Sequence, residues 1–292
     1  MERCEFSSDG IWCVGYWHWP EVRKPLPPLV VMGHGYGTEW QFGSQSYIDA
    51  FTSAGFAVFT FDYRHFGESK GEPRQLIDID KQLDDWRAAL NYIRHHSLVD
   101  ISRISLWGSS LGGGHAMTIA AEDSAIKALV VQIPHCDATE ASKDYSFSYQ
   151  VTAFLHIVFD GMLRLVGRTH KIPIVAEPNS FGVMTHPGWK QAYLDLVPVK
   201  SQWQNATPAR SLLSGRDYSP GKNAGAIKCP SLVIYAGQDA GVPVHTVEST
   251  VLKLKDREFK RFEGDHFAVY SGNLNKQAVA WQVEFLKRKI LG

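Results

Sequence analysis

Residues 101–115 limit this chain's folding options more than any other stretch. An apolar run, Ile104-Ser105-Leu106-Trp107, breaks at Gly108-Ser109-Ser110-Leu111-Gly112 and continues into Gly113-Gly114-His115 and a helix-forming sequence. The order is a buried strand, a sharp turn and a helix. The pentapeptide fits Gly-x-Ser-x-Gly, which puts Ser110 at the tip of the turn. Glycines two residues either side of Ser110 let strand and helix approach where a Cβ would clash. The helix then starts beneath the serine hydroxyl, with its positive end toward it. Ser109 does not fit the centre, because the positions two residues away hold Trp107 and Leu111. A glycine-rich turn that only packs is the competing interpretation.

The rest of the chain supplies partners for that strand. Residues 3–6 and 11–17 read as an opening hairpin, and the four prolines within 20–28 as a loop. Leu29-Val30-Val31-Met32, residues 56–62, Ala128-Leu129-Val130-Val131-Gln132-Ile133 and Ser231-Leu232-Val233-Ile234-Tyr235 are short apolar runs of the kind buried on both faces of a parallel sheet. Residues 258–262 read as a last strand. Helical spacing covers 44–54, 79–96 (with Asp78 or Asp80 near the start), 111–122, 244–254 and 272–289. Strands alternating with helices predict an α/β fold with a mostly parallel central sheet flanked by helices. The rhythm stops after Pro134. The expectation is a core of residues 1–134 and 226–292, with 135–225 inserted as a helical cap, including helices near 149–166 and 188–197.

Composition excludes several classes. Lys plus Arg equals Asp plus Glu at 30 each, which argues against a nucleic-acid partner. The most apolar long stretch, 151–167, is interrupted by His156, Asp160 and Arg164, so stable membrane insertion is not expected. Four widely spaced cysteines lack metal-ligand spacing, and the first residues lack a signal-peptide layout. A cytoplasmic protein with reduced thiols is the expectation, with no metal and no cofactor. Gly33-His34-Gly35-Tyr36-Gly37 could be mistaken for a dinucleotide loop, but the third glycine is misplaced and Thr38 follows. The better match is a His-Gly turn whose glycines free backbone N–H groups to face a carbonyl oxygen. The charged loop containing Asp62, Arg64 and His65 is expected to brace itself by local hydrogen bonds.

Three candidates fall at strand ends: Ser110, then Asp239, then His266. In open parallel sheets reactive groups collect at the carboxyl ends of the strands. A serine hydroxyl needs a base to take its proton, and a carboxylate fixes the tautomer of that histidine. Asp137, also after a strand, is a rival acid; Asp265 adjoins His266 but is expected to point elsewhere. The backbone N–H groups of Leu111 and Tyr36 are the candidate oxyanion donors. His34, Trp107, His135, Phe154 and Trp189 are candidate pocket residues. His65 and His115 are expected, with His34 and His135, to line the site without acting as base. Ile157, Val158, Phe181, Tyr193 and Trp203 supply further apolar surface in the inserted segment.

Beyond these positions the chain resembles a known group. Asp62-Tyr63-Arg64-His65-Phe66-Gly67-Glu68-Ser69-Lys70-Gly71-Glu72-Pro73-Arg74-Gln75, Gln82-Leu83-Asp84-Asp85-Trp86-Arg87-Ala88-Ala89 and Leu106-Trp107-Gly108-Ser109-Ser110-Leu111-Gly112-Gly113-Gly114-His115 are similar to microbial α/β hydrolases. That group includes fungal polyketide transferases of the fumagillin-pathway type and related thiohydrolases and esterases. The likeness is strongest over 29–134, returns at Asp239 and His266, and is looser around residues 179–185. It implies the α/β-hydrolase fold, a Ser110–Asp239–His266 triad and acyl chemistry on a small-molecule ester or an acyl thioester, free or bound to a carrier protein. The first expectation is a serine hydrolase. An acyltransferase passing a polyketide-type acyl group to an alcohol is the runner-up, and a non-catalytic ligand-binding protein on the same fold is the alternative of another class. Haloalkane dehalogenase and epoxide hydrolase chemistry is disfavoured, because it uses Asp where this chain has Ser110. The oligomeric state is left open.

Overall fold

A computed structural model describes residues 1–22, 26–143 and 145–292; Pro25 of the proline-rich loop lies outside the described residues. Eight strands form one sheet: β1 (Glu2–Ser8), β2 (Ile11–His18), β3 (Leu29–Gly33), β4 (Ala57–Phe61), β5 (Ile104–Ser109), β6 (Ala128–Gln132), β7 (Ser231–Ala236) and β8 (Arg257–Phe262). Their spatial order is β1-β2-β4-β3-β5-β6-β7-β8. β1 and β2 form the hairpin, β2 pairs antiparallel with β4, and every later pairing is parallel. This is the α/β-hydrolase architecture expected from the sequence.

The apolar runs are strands because both faces are covered. β3, β4, β5, β6 and β7 are buried along their whole length. β8, at the sheet edge, carries exposed Arg257, Lys260 and Arg261, which discourage further pairing. Helices α1 (Gln45–Ser53), α2 (Ile79–Arg94), α3 (Leu111–Glu122), α4 (Phe147–Arg164), α5 (Trp189–Leu194), α6 (Val244–Lys253) and α7 (Gly272–Leu286) follow in chain order. Leu29, Val31, Leu106 and Leu129 pack with Trp86 of α2, Ile119 of α3 and Val247 of α6 on one face. Val30, Met32, Trp107 and Val130 pack with Tyr47 and Phe51 of α1 and Phe285 of α7 on the other. Asp78 is the N-cap of α2, accepting from the Lys81 N–H.

Between β6 and β7 lie α4, α5, a two-stranded ribbon (Lys171–Ile172 with Thr207–Pro208) and the 3₁₀ turns Ala209–Leu213 and Pro220–Ala226. Asp160 is the buried residue of α4, and its carboxylate accepts from the His170 N–H, the Arg210 N–H and Arg210 Nη1. That one side chain ties the helix to both ends of the loop beneath it. α5 is shorter than the predicted 188–197, because the chain turns at 195–197 into Pro198, and the residue before a proline resists helical backbone angles.

Candidate active site

Ser110 sits between β5 and α3 at φ 54° and ψ −121°, a conformation that L-residues rarely adopt. The neighbouring glycines explain how it is tolerated. A Cβ on Gly108 would stand 2.2 Å from the Gly112 carbonyl oxygen, and one on Gly112 would stand 2.4 Å from that of His34. The turn is pinned further by the Ser110 N–H donating to the Gln132 carbonyl, and by its own carbonyl accepting from the N–H groups of Gly113 and His135.

His266 opens a 3₁₀ turn after β8, and Asp239 follows β7. His266 Nε2 is 3.0 Å from Ser110 Oγ, and His266 Nδ1 is 2.6 Å from Asp239 Oδ2. Asp239 Oδ1 accepts from the N–H groups of Gly241 and Val242 at 3.0 and 2.8 Å. Burial works against a charge on Asp239, but His266 and these two N–H donors outweigh it and hold the carboxyl below its ordinary range. An ionised Asp239 places the imidazole proton on Nδ1 and leaves Nε2 to accept from the serine hydroxyl. The rival carboxylates are engaged elsewhere. Asp137 caps the short helix Ala138–Ala141 and accepts from Ser219 Oγ. Asp265 accepts from the Trp189 indole and the Ala240 N–H.

Leu111 is the first residue of α3, where backbone N–H groups lack an intrahelical acceptor. Tyr36 lies in the loop after β3, next to Gly35, where an added Cβ would be 3.5 Å from the Ser110 Cβ. Tyr36, Leu111, Ser110 and His266 all border one cavity of about 800 Å³. His135, Phe154 and Trp189, predicted as pocket residues, are on its wall, and so is Ile157.

His34 and Trp107, also predicted as pocket residues, line a smaller crevice of about 30 Å³ that borders Ser110 and His266 as well. Side chains alternate along β5, so Trp107 points with Ser105 and Ser109 toward α1 and α7, away from the large cavity. His34 is held by the loop itself: Nδ1 is 3.2 Å from Thr38 Oγ1 and Nε2 accepts from the Tyr63 N–H at 3.4 Å. Burial pushes its pKa down to about 3, so it is neutral. Val158, Phe181 and Trp203 do not border the large cavity, and Tyr193 borders the crevice.

The charged loop after β4 is braced locally, with Ser69 Oγ donating to the Asp62 carbonyl and Arg74 to the Gly67 carbonyl. Its charged side chains also reach distant segments: the Asp62 carboxylate accepts from the Trp40 N–H, and Arg64 donates to Asp85 Oδ1 and Ser8 Oγ. Tyr145, Tyr149 and Tyr218 also line the cavity and escaped prediction. Tyr145, just before the N-cap Ser146 of α4, and Tyr149 stack at 4.5 Å. Tyr218 lies in a stretch without periodicity. Among the described residues no group of three or more His, Cys, Asp or Glu side chains is arranged to hold a metal ion, and no helix is long and apolar enough to cross a membrane.

Comparison with known proteins adds the lineage. Residues 28–272 match the family model described as alpha/beta hydrolase fold. The quorum-quenching protein AidA of Acinetobacter baumannii is 31% identical over 285 residues, which span 97% of this chain and 93% of that protein. The thiohydrolase aneE of Aspergillus aculeatus is 33% identical over 112 residues, 38% of this chain and 35% of that one. The structure of DcsB in complex with its substrate analogue superposes with a TM-score of 0.85 at 24% identity, covering 100% of this chain and 99% of that one. With the sheet order, the strand-turn-helix at Ser110 and a family model spanning most of its length, the chain belongs to the alpha/beta hydrolase fold family.

Proposed function

We propose that this protein is a serine hydrolase that cleaves a carboxylic ester or thioester through an acyl-enzyme on Ser110. The observation that carries the proposal is the continuous relay from Asp239 Oδ2 through His266 to Ser110 Oγ, with contacts of 2.6 and 3.0 Å, at the wall of a substrate-sized cavity. In this mechanism Ser110 Oγ attacks the acyl carbon while His266 Nε2 takes its proton. Asp239 stabilises the imidazolium. The N–H groups of Tyr36 and Leu111 receive the oxyanion, each worth about 3–4 kcal/mol of transition-state stabilisation. Collapse expels the alcohol or thiol, which takes the proton from His266. Water then attacks the acyl-enzyme with His266 again as base, and the acid leaves.

Residues 135–225 act in this proposal as a cap that shapes the acyl site. An alcohol in the place of that water would give transfer instead of hydrolysis. Incubation with a short acyl thioester tests both steps. Wild type releases thiol and free acid, and Ser110→Ala releases neither above background. A new ester formed with an added alcohol, at the expense of the acid, would move the assignment to acyl transfer. Thiol release unchanged in Ser110→Ala would refute the proposal.

A further inference from the structure

The segment between β6 and β7 does more than roof the cavity. Two side chains on successive turns of α5 reach the loops that carry the chemistry. The indole of Trp189 stacks on the His266 imidazole, with ring centroids 4.9 Å apart and planes 28° apart. Its Nε1–H donates to Asp265 Oδ2 at 2.6 Å, and Asp265 Oδ1 accepts from the N–H of Ala240, the neighbour of Asp239. The Asp239 loop lies flat on the same indole: a Cβ on Gly241 would be 2.1 Å from Trp189 Cη2. One turn on, the Tyr193 hydroxyl donates to the Tyr36 carbonyl at 2.9 Å. Trp203 Nε1–H donates to the next carbonyl, Gly37, at 2.7 Å. Residues four apart share a helix face, so α5 presents Trp189 and Tyr193 together.

These contacts have a stake in geometry. The loops bearing Asp239, His266 and Tyr36 leave three different strands, and a sheet fixes only where each loop starts. Reactivity depends on where each loop ends, because a shift of about 1 Å in a reacting group costs on the order of 100-fold in rate. We infer that Trp189 and Tyr193 are positioning residues through which α5 sets the His266 ring and the Tyr36 loop relative to Ser110. The inference rests on the proposed acyl chemistry at Ser110. Trp189 holds the base from above while Asp239 holds it from the side. Tyr193 fixes the peptide that follows the proposed oxyanion donor. The catalytic geometry is thereby completed by the inserted segment and not by the strand ends alone.

The test uses p-nitrophenyl acetate, whose acetyl group is too small to need the outer cavity wall. Trp189→Leu should lower kcat about tenfold or more while KM stays within about twofold. Trp189→Phe keeps an aromatic face and should recover most of kcat. Tyr193→Phe should lower kcat about fivefold, again without a matching rise in KM. The low-field proton resonance of the His266 Nδ1–H bond to Asp239 provides a readout independent of turnover. It should broaden or vanish in Trp189→Leu and persist in Trp189→Phe. Loss confined to KM, or wild-type kcat with an unchanged low-field signal in Trp189→Leu, would overturn the positioning role. An inactive wild type would instead refute the acyl chemistry, and the resonance would still decide the role of Trp189. Circular dichroism of each variant separates these outcomes from unfolding, and the milder Trp189→Phe and Tyr193→Phe keep the test open if Trp189→Leu does not fold.

Discussion

The indole N–H of Trp107 donates to Oε1 of Gln282 at 2.7 Å, joining the strand that leads to Ser110 to the last long helix. The bond is one link in a buried chain. Gln282 Nε2 donates to Gln132 Oε1, Gln132 Nε2 donates to Ser109 Oγ, and Ser109 Oγ lies 2.5 Å from the Tyr270 hydroxyl. Tyr270 ends the turn that begins at His266. Side chains under the sheet therefore connect the nucleophile strand, the next strand and the base turn, and Trp107, Gln282, Gln132, Ser109 and Tyr270 are each hydrogen-bonded within this series.

Replacing Gln282 by Leu removes a donor and an acceptor at once. The Trp107 N–H and Gln132 Oε1 are then buried without their partners, at a cost of about 2–5 kcal/mol. Urea titration of the purified variant reads this as a lowered midpoint. A change below about 0.5 kcal/mol would mean that water or a rotamer change replaces both bonds.

A second buried link is ionic. Arg64 and Asp85 pair at 2.8 Å with side chains 2% and 0% exposed, and Asp85 also accepts from the Arg64 N–H. Asp85→Ala leaves the buried guanidinium with only Ser8 and the exposed Asp9 carboxylate at 3.5 Å, and should destabilise by about 3 kcal/mol. Arg64→Met combined with Asp85→Leu should recover part of that loss, because two apolar side chains replace a desolvated pair. A double variant less stable than Asp85→Ala would contradict this account.

Acid lability should depend on His115. Burial lowers its pKa from 6.5 to about 3. Its Nε2 is 3.0 Å from Gln82 Oε1 and its Nδ1 is 3.0 Å from the Tyr218 hydroxyl, so the neutral ring is satisfied. Below pH 6.5 the unfolded chain binds the proton and the folded chain does not, so this stability is full above 6.5 and is lost as pH falls toward 3. At pH 5 the loss is about 2 kcal/mol for a fully buried ring. Asp62 works the other way. Burial raises its carboxyl from 3.8 to about 7, so its contribution is lost as pH rises through that window. The histidine effect is therefore read as a difference: between pH 7 and pH 5, His115→Gln should lose less stability than wild type. Equal losses would contradict a neutral His115.

Gly241→Ala tests the contact between the acid loop and α5 from the opposite side. The added methyl must displace the Trp189 indole, the nearest atom being 2.1 Å away. The expected result is a fall in kcat of about tenfold for the acetyl ester, with KM within about twofold. Steady-state kinetics showing an unchanged kcat would mean that the indole can move without disturbing His266.

The sheet and the turn at Ser110 were legible because each obeys a local rule. Runs buried on both faces are apolar throughout, and the approach of Gly108 to Gly112 excludes any side chain. Ser110 and Asp239 could be read because each follows an apolar strand, and His266 because it follows the last strand in a glycine-bearing loop. His34 and Trp107 were legible as neighbours of Ser110, but the side of the sheet was not: alternation groups Ser105, Trp107 and Ser109 on one face of β5, and only the packing puts that face toward α1 and α7. The role of Asp160 and the pairing of Lys171–Ile172 with Thr207–Pro208 were not legible, since they join distant loops with no periodic signal. For the same reason Trp189 could be named as a pocket residue, while its stacking on His266 could not.

The most direct test of the central claim is covalent labelling with a fluorophosphonate probe, followed by peptide mass spectrometry. The account predicts a single adduct on Ser110 in wild type. Labelling should be absent in Ser110→Ala, slowed on the order of a thousandfold in His266→Ala, and slowed at least about tenfold in Asp239→Asn. Folded wild type with no adduct on Ser110, or equal labelling rates in wild type and His266→Ala, would contradict it.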